Sequence, residues 1–114
     1  MSHLLFMHQI PFTKNVILLL SFIFNSGYDC TLGDAYRTPA AAAINAKLGS
    51  GIVNSLHCKR LAIDVELFKD GKFLTRTEDH IKFGEYWESL HPLNRWGGHF
   101  KSRPDGNHYE MQDL

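Results

Sequence analysis

The chain has 114 residues, 44% of them hydrophobic and 21% charged, which suits one compact domain with a modest core and excludes a second. Twelve basic residues balance twelve acidic ones, so no overall field draws the protein to nucleic acid or an anionic surface, and any specificity must come from a local site. Cys30 and Cys58 form neither a CxxC pair nor a disulfide framework and read as free thiols of a reducing compartment; Cys58 reads as packing rather than as a nucleophile.

Residues 1–12 form an apolar amino-terminal extension, and the domain proper is expected over residues 13–114. The run "VILLLSFIF", Val16 to Phe24, is shorter than the roughly twenty apolar residues that cross a bilayer. With Thr13 as N-cap and Gly27 as stop, it predicts a largely buried helix and no stable membrane insertion. An export signal is the alternative, because an apolar core of this length suits one. "GYDCTLGDAYRTP" predicts a short strand with Tyr28, Cys30 and Leu32 on one face. "TPAAAAINAKLG" predicts a second helix, with Thr38 as N-cap, Pro39 at the first helical position and Gly49 at the exit.

Residues 50–56 read as a loop. Beyond it Leu61, Ile63, Val65 and Leu67 alternate with Ala62, Asp64 and Glu66, the pattern of a strand with one apolar face. Asp70-Gly71 predicts a hairpin and "KFLT" its returning strand. Thr77 is expected to cap a helix through "EDHIKFGEYWESL", with Trp87 anchoring it to the sheet. Two strand-like pieces follow, "GGHF" and "NHYEM". Helices first and then an antiparallel sheet broken by one helix make a small, single-domain α+β fold, expected as a monomer.

Asp64 lies on the strand face opposite the aliphatic residues and needs partners or water there. His57, with six residues between them, and His108, in the last strand, are candidates, because neighbouring strands bring distant residues together. Two imidazoles and one carboxylate are a known ligand set for catalytic zinc. The competing reading is a set of satisfied polar residues on a half-exposed sheet, since seven histidines in a short chain make such spacings easy to meet by chance. Asp105, three residues before His108, stands where a general base would, and Arg37 is suited to an oxyanion or a substrate carboxylate. Glu66 and Glu110 share faces with Asp64 and His108 and are candidate partners that orient a histidine; Glu110 is also the fallback base. Trp96 is a candidate wall of a substrate groove, and His99 reads as structural.

Taken together, "SLHCKRLAID" resembles the Ser-x-His-(x)6-Asp motif of the zinc D-alanyl-D-alanine carboxypeptidase and L-alanyl-D-glutamate endopeptidase family. "DGNHYEM" resembles its closing Asp-x-x-His-aromatic-Glu motif, and "GDAYRTP" its Tyr-Arg-Thr segment. "LFKDGKFL…GEYWESL…RWGGHF" is similar to short peptidases of bacteriophages and prophages. The chain departs from the family at Arg60, where many members carry Gly in a His-x-x-Gly-x-Ala-x-Asp pattern. The resemblance implies Zn2+ bound by His57, Asp64 and His108, Asp105 as catalytic acid/base, Arg37 as catalytic assistant and substrate ligand, and Ser55 as a support of the substrate site.

It also implies that peptidoglycan stem peptides are the partner, with no role for nucleic acid. A phage-type enzyme would wait in the host cytoplasm and act on the periplasmic wall, or be exported through the amino-terminal segment. The alternative from another class is a cell-wall-binding or regulatory module that keeps the fold and the metal without turnover. A small membrane-active protein driven by residues 16–24 is a third.

Overall fold

The computed structural model describes residues 3–49 and 55–113. Its centre is strand β2, Ala62–Lys69, whose Leu61 approach and Ile63, Val65 and Leu67 side chains are buried, as the alternation requires. β1, Asp29–Leu32, runs antiparallel to β2 with Cys30 opposite Leu67. At Asp70-Gly71 both residues have positive φ, the geometry of a two-residue hairpin, and β3, Lys72–Leu74, returns along β2. β4, Asn94–Trp96, and β5, His108–Met111, complete an antiparallel sheet ordered β1-β2-β5-β4, with β3 also paired to β2.

Two of the three helices pack against the sheet. α1, His3–Asn25, buries Phe12, Asn15, Leu19 and Ile23, residues three or four apart that share one face. α2, Pro39–Lys47, begins as expected: Thr38 accepts from the Ala41 amide at 3.1 Å, and Gly49 takes positive φ at the exit. α3, Ile81–Ser89, lays Phe83 and Trp87 into the core, and the Trp87 indole donates to the Glu110 carbonyl at 2.9 Å, fastening helix to sheet. Buried Asn15 is satisfied by Asn94, whose amide donates to it at 2.9 Å.

Several local expectations are corrected. α1 does not begin at Thr13: the helix runs straight through it, and its hydroxyl donates back to the Gln9 carbonyl at 3.0 Å. The polar Thr13-Lys14-Asn15 step looked like a boundary, but Thr13 and Lys14 face outward while Asn15 has a buried partner. Nor is α1 largely buried, since Ile17, Leu18 and Phe24 are 60%, 46% and 52% exposed. Its Leu5–Asn25 stretch is long and apolar enough, by length and composition, to cross a membrane, unlike Val16–Phe24 taken alone.

Thr77 is not the cap of α3 but the first residue of a 3-10 turn, Thr77–His80, opened by the Asp79 carboxylate accepting from the Arg76 amide at 3.0 Å. "GGHF" is not a strand: Gly97–His99 forms a 3-10 turn, and the strand is the preceding Asn94–Trp96. Of the expected loop over 50–56, residues 50–54 lie outside the described residues, and Leu56 already belongs to a 3-10 turn, Leu56–Lys59.

Candidate metal centre

The site is assembled on β2 and β5. Their register sets Asp64 directly opposite His108, so two residues far apart in sequence become cross-strand neighbours on one face. His57 arrives from the 3-10 turn before β2. Ser55 caps that turn, its hydroxyl accepting from the His57 amide at 3.2 Å, and Gln9 of α1 donates to the Lys59 carbonyl at 2.8 Å. Arg60 then turns the chain into β2 with φ of 57°, a left-handed conformation that favours glycine. Arg60 lays its guanidinium 4.1 Å over the Tyr36 ring, a contact that offsets part of the cost of that backbone.

One ligand atom from each of His57, Asp64 and His108 lies within 4.8 Å of the others. His57 Nε2 stands 3.3 Å and His108 Nδ1 3.4 Å from the same oxygen, Asp64 Oδ1. That oxygen is buried, yet neither contact has hydrogen-bond geometry and it has no hydrogen-bond partner among the described residues. A buried carboxylate oxygen faced by two imidazole nitrogens without a hydrogen bond to either is costly unless positive charge, a proton on His108 or a metal ion, balances it. The convergence of two imidazoles and a carboxylate could hold a metal ion, and this donor set fits the ligand chemistry of zinc.

The electrostatics follow from the same packing. Burial works to raise the Asp64 carboxyl, but the two imidazoles beside it prevail and hold it down at about 2. Burial works to lower His108, and here Asp64 and Glu110 prevail, pushing the imidazole up to about 9. Asp105 moves the other way from Asp64: burial raises its carboxyl, Asp64 adds to the rise, and the nearby His108, His57 and Arg103 offset only part of it. A carboxyl displaced towards neutrality suits a group that must both take and return a proton.

Asp105 is held by its backbone, whose amide donates to the Gly97 carbonyl at 2.9 Å while its carbonyl accepts from the His108 amide at 3.2 Å. Gly97 is required at that contact, since a Cβ there would stand 2.2 Å from the Asp105 carbonyl oxygen.

A cleft of about 860 Å³ opens over the centre and brings Arg37, Ser55, His57, Asp64, Asp105 and His108 to one wall system. Arg37 is positioned by Asp34, whose Oδ2 accepts from its Nε at 3.1 Å and its Nη2 at 2.7 Å, and its amide donates to the His57 carbonyl at 3.2 Å.

Trp96 is a correction: it is 2% exposed and does not line the cleft. Its indole donates to the Gly106 carbonyl at 2.7 Å, and its ring lies so close to Gly84 and Gly98 that a Cβ on either would stand 2.1 Å from it. It holds the Asp105 loop from behind. Glu66 is another correction, because it accepts from the Asn107 amide at 2.8 Å and forms no hydrogen bond or ion pair with a histidine among the described residues. Glu110 does reach its histidine, 2.7 Å from His108 Nε2. His99 pairs with Glu88 at 2.8 Å, away from the cleft. Sequence reasoning missed Asp34 and Arg95; the first was readable as an acid three residues before Arg37, the second only from the register that sets it opposite Glu110.

A family model described as D-alanyl-D-alanine carboxypeptidase matches residues 48–111, a stretch that includes Ser55, all three candidate ligands and Asp105. The solved structure of Serratia marcescens L-Ala D-Glu endopeptidase ChiX is similar in fold, with a TM-score of 0.75 and 18% sequence identity over 89% of this chain and 77% of that one. No curated protein matches the chain.

Proposed function

Because the chain belongs to the D-alanyl-D-alanine carboxypeptidase family, we propose that it is a zinc-dependent peptidase that hydrolyses peptide bonds in peptidoglycan stem peptides. The observation that carries this reading is the unsatisfied Asp64 oxygen facing two imidazole nitrogens beneath a cleft that also holds Asp105. A zinc ion bound by His57, Asp64 and His108 would supply Lewis-acid polarisation of the scissile carbonyl and a water of lowered pKa.

The chain's own residues do the rest. Asp105 takes a proton from the attacking water and returns it to the departing amine, two tasks served by a carboxyl that burial has raised. Arg37, held by Asp34 on the cleft wall, grips a substrate carboxylate or the oxyanion that develops at the carbonyl. Ser55 keeps the turn that presents His57, its hydroxyl accepting from the His57 amide, and serves the site as a support.

The two bonds in view are the L-alanyl-D-glutamate bond, which ChiX is named for cutting, and the terminal D-alanyl bond of the family description. The likeness of the hairpin, α3 and β4 segments to short phage and prophage peptidases extends the proposal to a lysis role. Burial of Phe12, Leu19 and Ile23 in the shared core favours an α1 that stays with the domain, with export through it as the alternative.

Asp105→Asn is the test: hydrolysis of purified muropeptides falls by about 10²–10⁴-fold while zinc stays bound. An active Asp105→Asn removes Asp105 from the mechanism, and an inactive, zinc-loaded wild type favours the non-catalytic wall-binding module.

A further inference from the structure

Beside the candidate metal centre, along the same cleft, runs a line of charged and polar groups, Arg95, Glu110 and Gln112, to which the proposed chemistry gives no role. Strand register puts Arg95 of β4 opposite Glu110 of β5, and Glu110 shares a strand face with His108 two residues before it. Glu110 is 5% exposed, and such a buried carboxylate needs its acceptors filled. Both are. Its Oε2 accepts from Arg95 Nε at 2.8 Å and also from Arg95 Nη2, and its Oε1 lies 2.7 Å from His108 Nε2. Opposite Glu110 on the other side stands Ala62, fully buried and too small to compete for the carboxylate. The Gln112 amide oxygen, in the orientation that satisfies both groups, accepts from Arg95 Nε and Nη1 at 3.1 Å each, so the guanidinium is itself anchored.

We infer that Arg95 and Glu110 form a clamp that fixes the tautomer and ring orientation of His108, holding the proton on Nε2 and presenting Nδ1 to the metal. An ionised carboxylate is an acceptor only, so the nitrogen it faces must be the one that carries hydrogen. The other nitrogen, Nδ1, is then the one facing Asp64, 3.4 Å from its Oδ1. Arg95 holds Glu110 in place through a planar fork that a point charge reproduces only in part. Both are positioning residues, acting on zinc through His108 and touching neither metal nor substrate in this role. The inference deepens the zinc reading and rests on it.

The test measures zinc affinity by chelator competition together with long-range 1H–15N correlation spectra of the histidine rings. In the zinc-loaded wild type His108 carries its proton on Nε2. Glu110→Ala weakens zinc binding about 10–100-fold. Arg95→Met weakens it in the same direction, and Arg95→Lys recovers part of the loss. A proton on Nδ1 of His108, or a Glu110→Ala protein that binds zinc within twofold of wild type, overturns the inference. The spectrum of the wild type needs no variant, so a misfolded Glu110→Ala does not remove the test. Muropeptide hydrolysis is followed separately. A wild type that binds zinc with the expected tautomer but cleaves nothing leaves the clamp standing and removes the peptidase reading.

Discussion

Raising the pH from about 6 to about 8 should tighten zinc binding by about 100-fold, and the reason lies in His108. In the metal-free protein Asp64 and Glu110 hold a proton on this imidazole up to a pKa of about 9. Zinc needs that proton gone from Nδ1. With a pKa of about 9, roughly one molecule in a thousand offers a free Nδ1 at pH 6 and about one in ten at pH 8, which is the 100-fold gain. An ordinary imidazole with a pKa near 6.5 would give only about a fourfold gain over the same interval. The sign is fixed: a raised pKa makes the proton a stronger competitor, so affinity climbs about tenfold per pH unit until His108 titrates. The assay is competition against a chelator whose own protonation is corrected for, in metal-free protein at a series of pH values. A rise of fourfold or less would refute the argument, because His108 would then not be gripped by two carboxylates.

Two further predictions concern stability rather than metal. His80 is 3% exposed, its Nδ1 is 2.8 Å from the Tyr109 hydroxyl, and burial lowers its pKa to about 4. A histidine depressed on folding leaves stability intact above its unfolded pKa of about 6.5 and drains it as pH falls towards the folded value, by about 2 kcal/mol at pH 5. Denaturant titrations should show that loss in the wild type and much less of it in His80→Gln; equal slopes in the two proteins would contradict the burial effect. At Arg60, whose φ is 57°, Gly should be more stable than Ala by about 1 kcal/mol, since both lose the contact with Tyr36 and only Ala keeps the strained backbone. Equal midpoints for Arg60→Gly and Arg60→Ala would contradict this.

Where residue type and period carry the physics, the sequence was legible. The two-residue alternation of Leu61, Ile63, Val65 and Leu67 read out β2 with its buried face, and positive φ at Asp70-Gly71 was foreseeable from the dipeptide. Thr38 and Pro39 opened α2 because a cap and a first-turn proline are local devices. Failures came where tertiary contacts decide. The start of α1 was hidden because Asn15, polar and boundary-like, is buried against Asn94, 79 residues away. Trp96 looked like a groove wall because an aromatic before two glycines can be exposed or enclosed, and only the packed ring against Gly84 and Gly98 tells which.

The site divides in the same way. His57, Asp64, His108 and Asp105 could be proposed from residue type, order and family resemblance, and the fold does bring them to one cleft. Arg95 could not, since nothing in "NRW" announces that its partner is Glu110 until strand register is known.

The most direct measurement of the central claim is digestion of purified muropeptides by zinc-loaded protein, with products identified by mass and His57→Ala as control. Wild type should release stem-peptide fragments cut at the L-alanyl-D-glutamate or terminal D-alanyl bond, with His57→Ala bringing zinc binding and cleavage down together. Identical, uncut muropeptides in both samples, from a wild type shown to hold zinc, would contradict it.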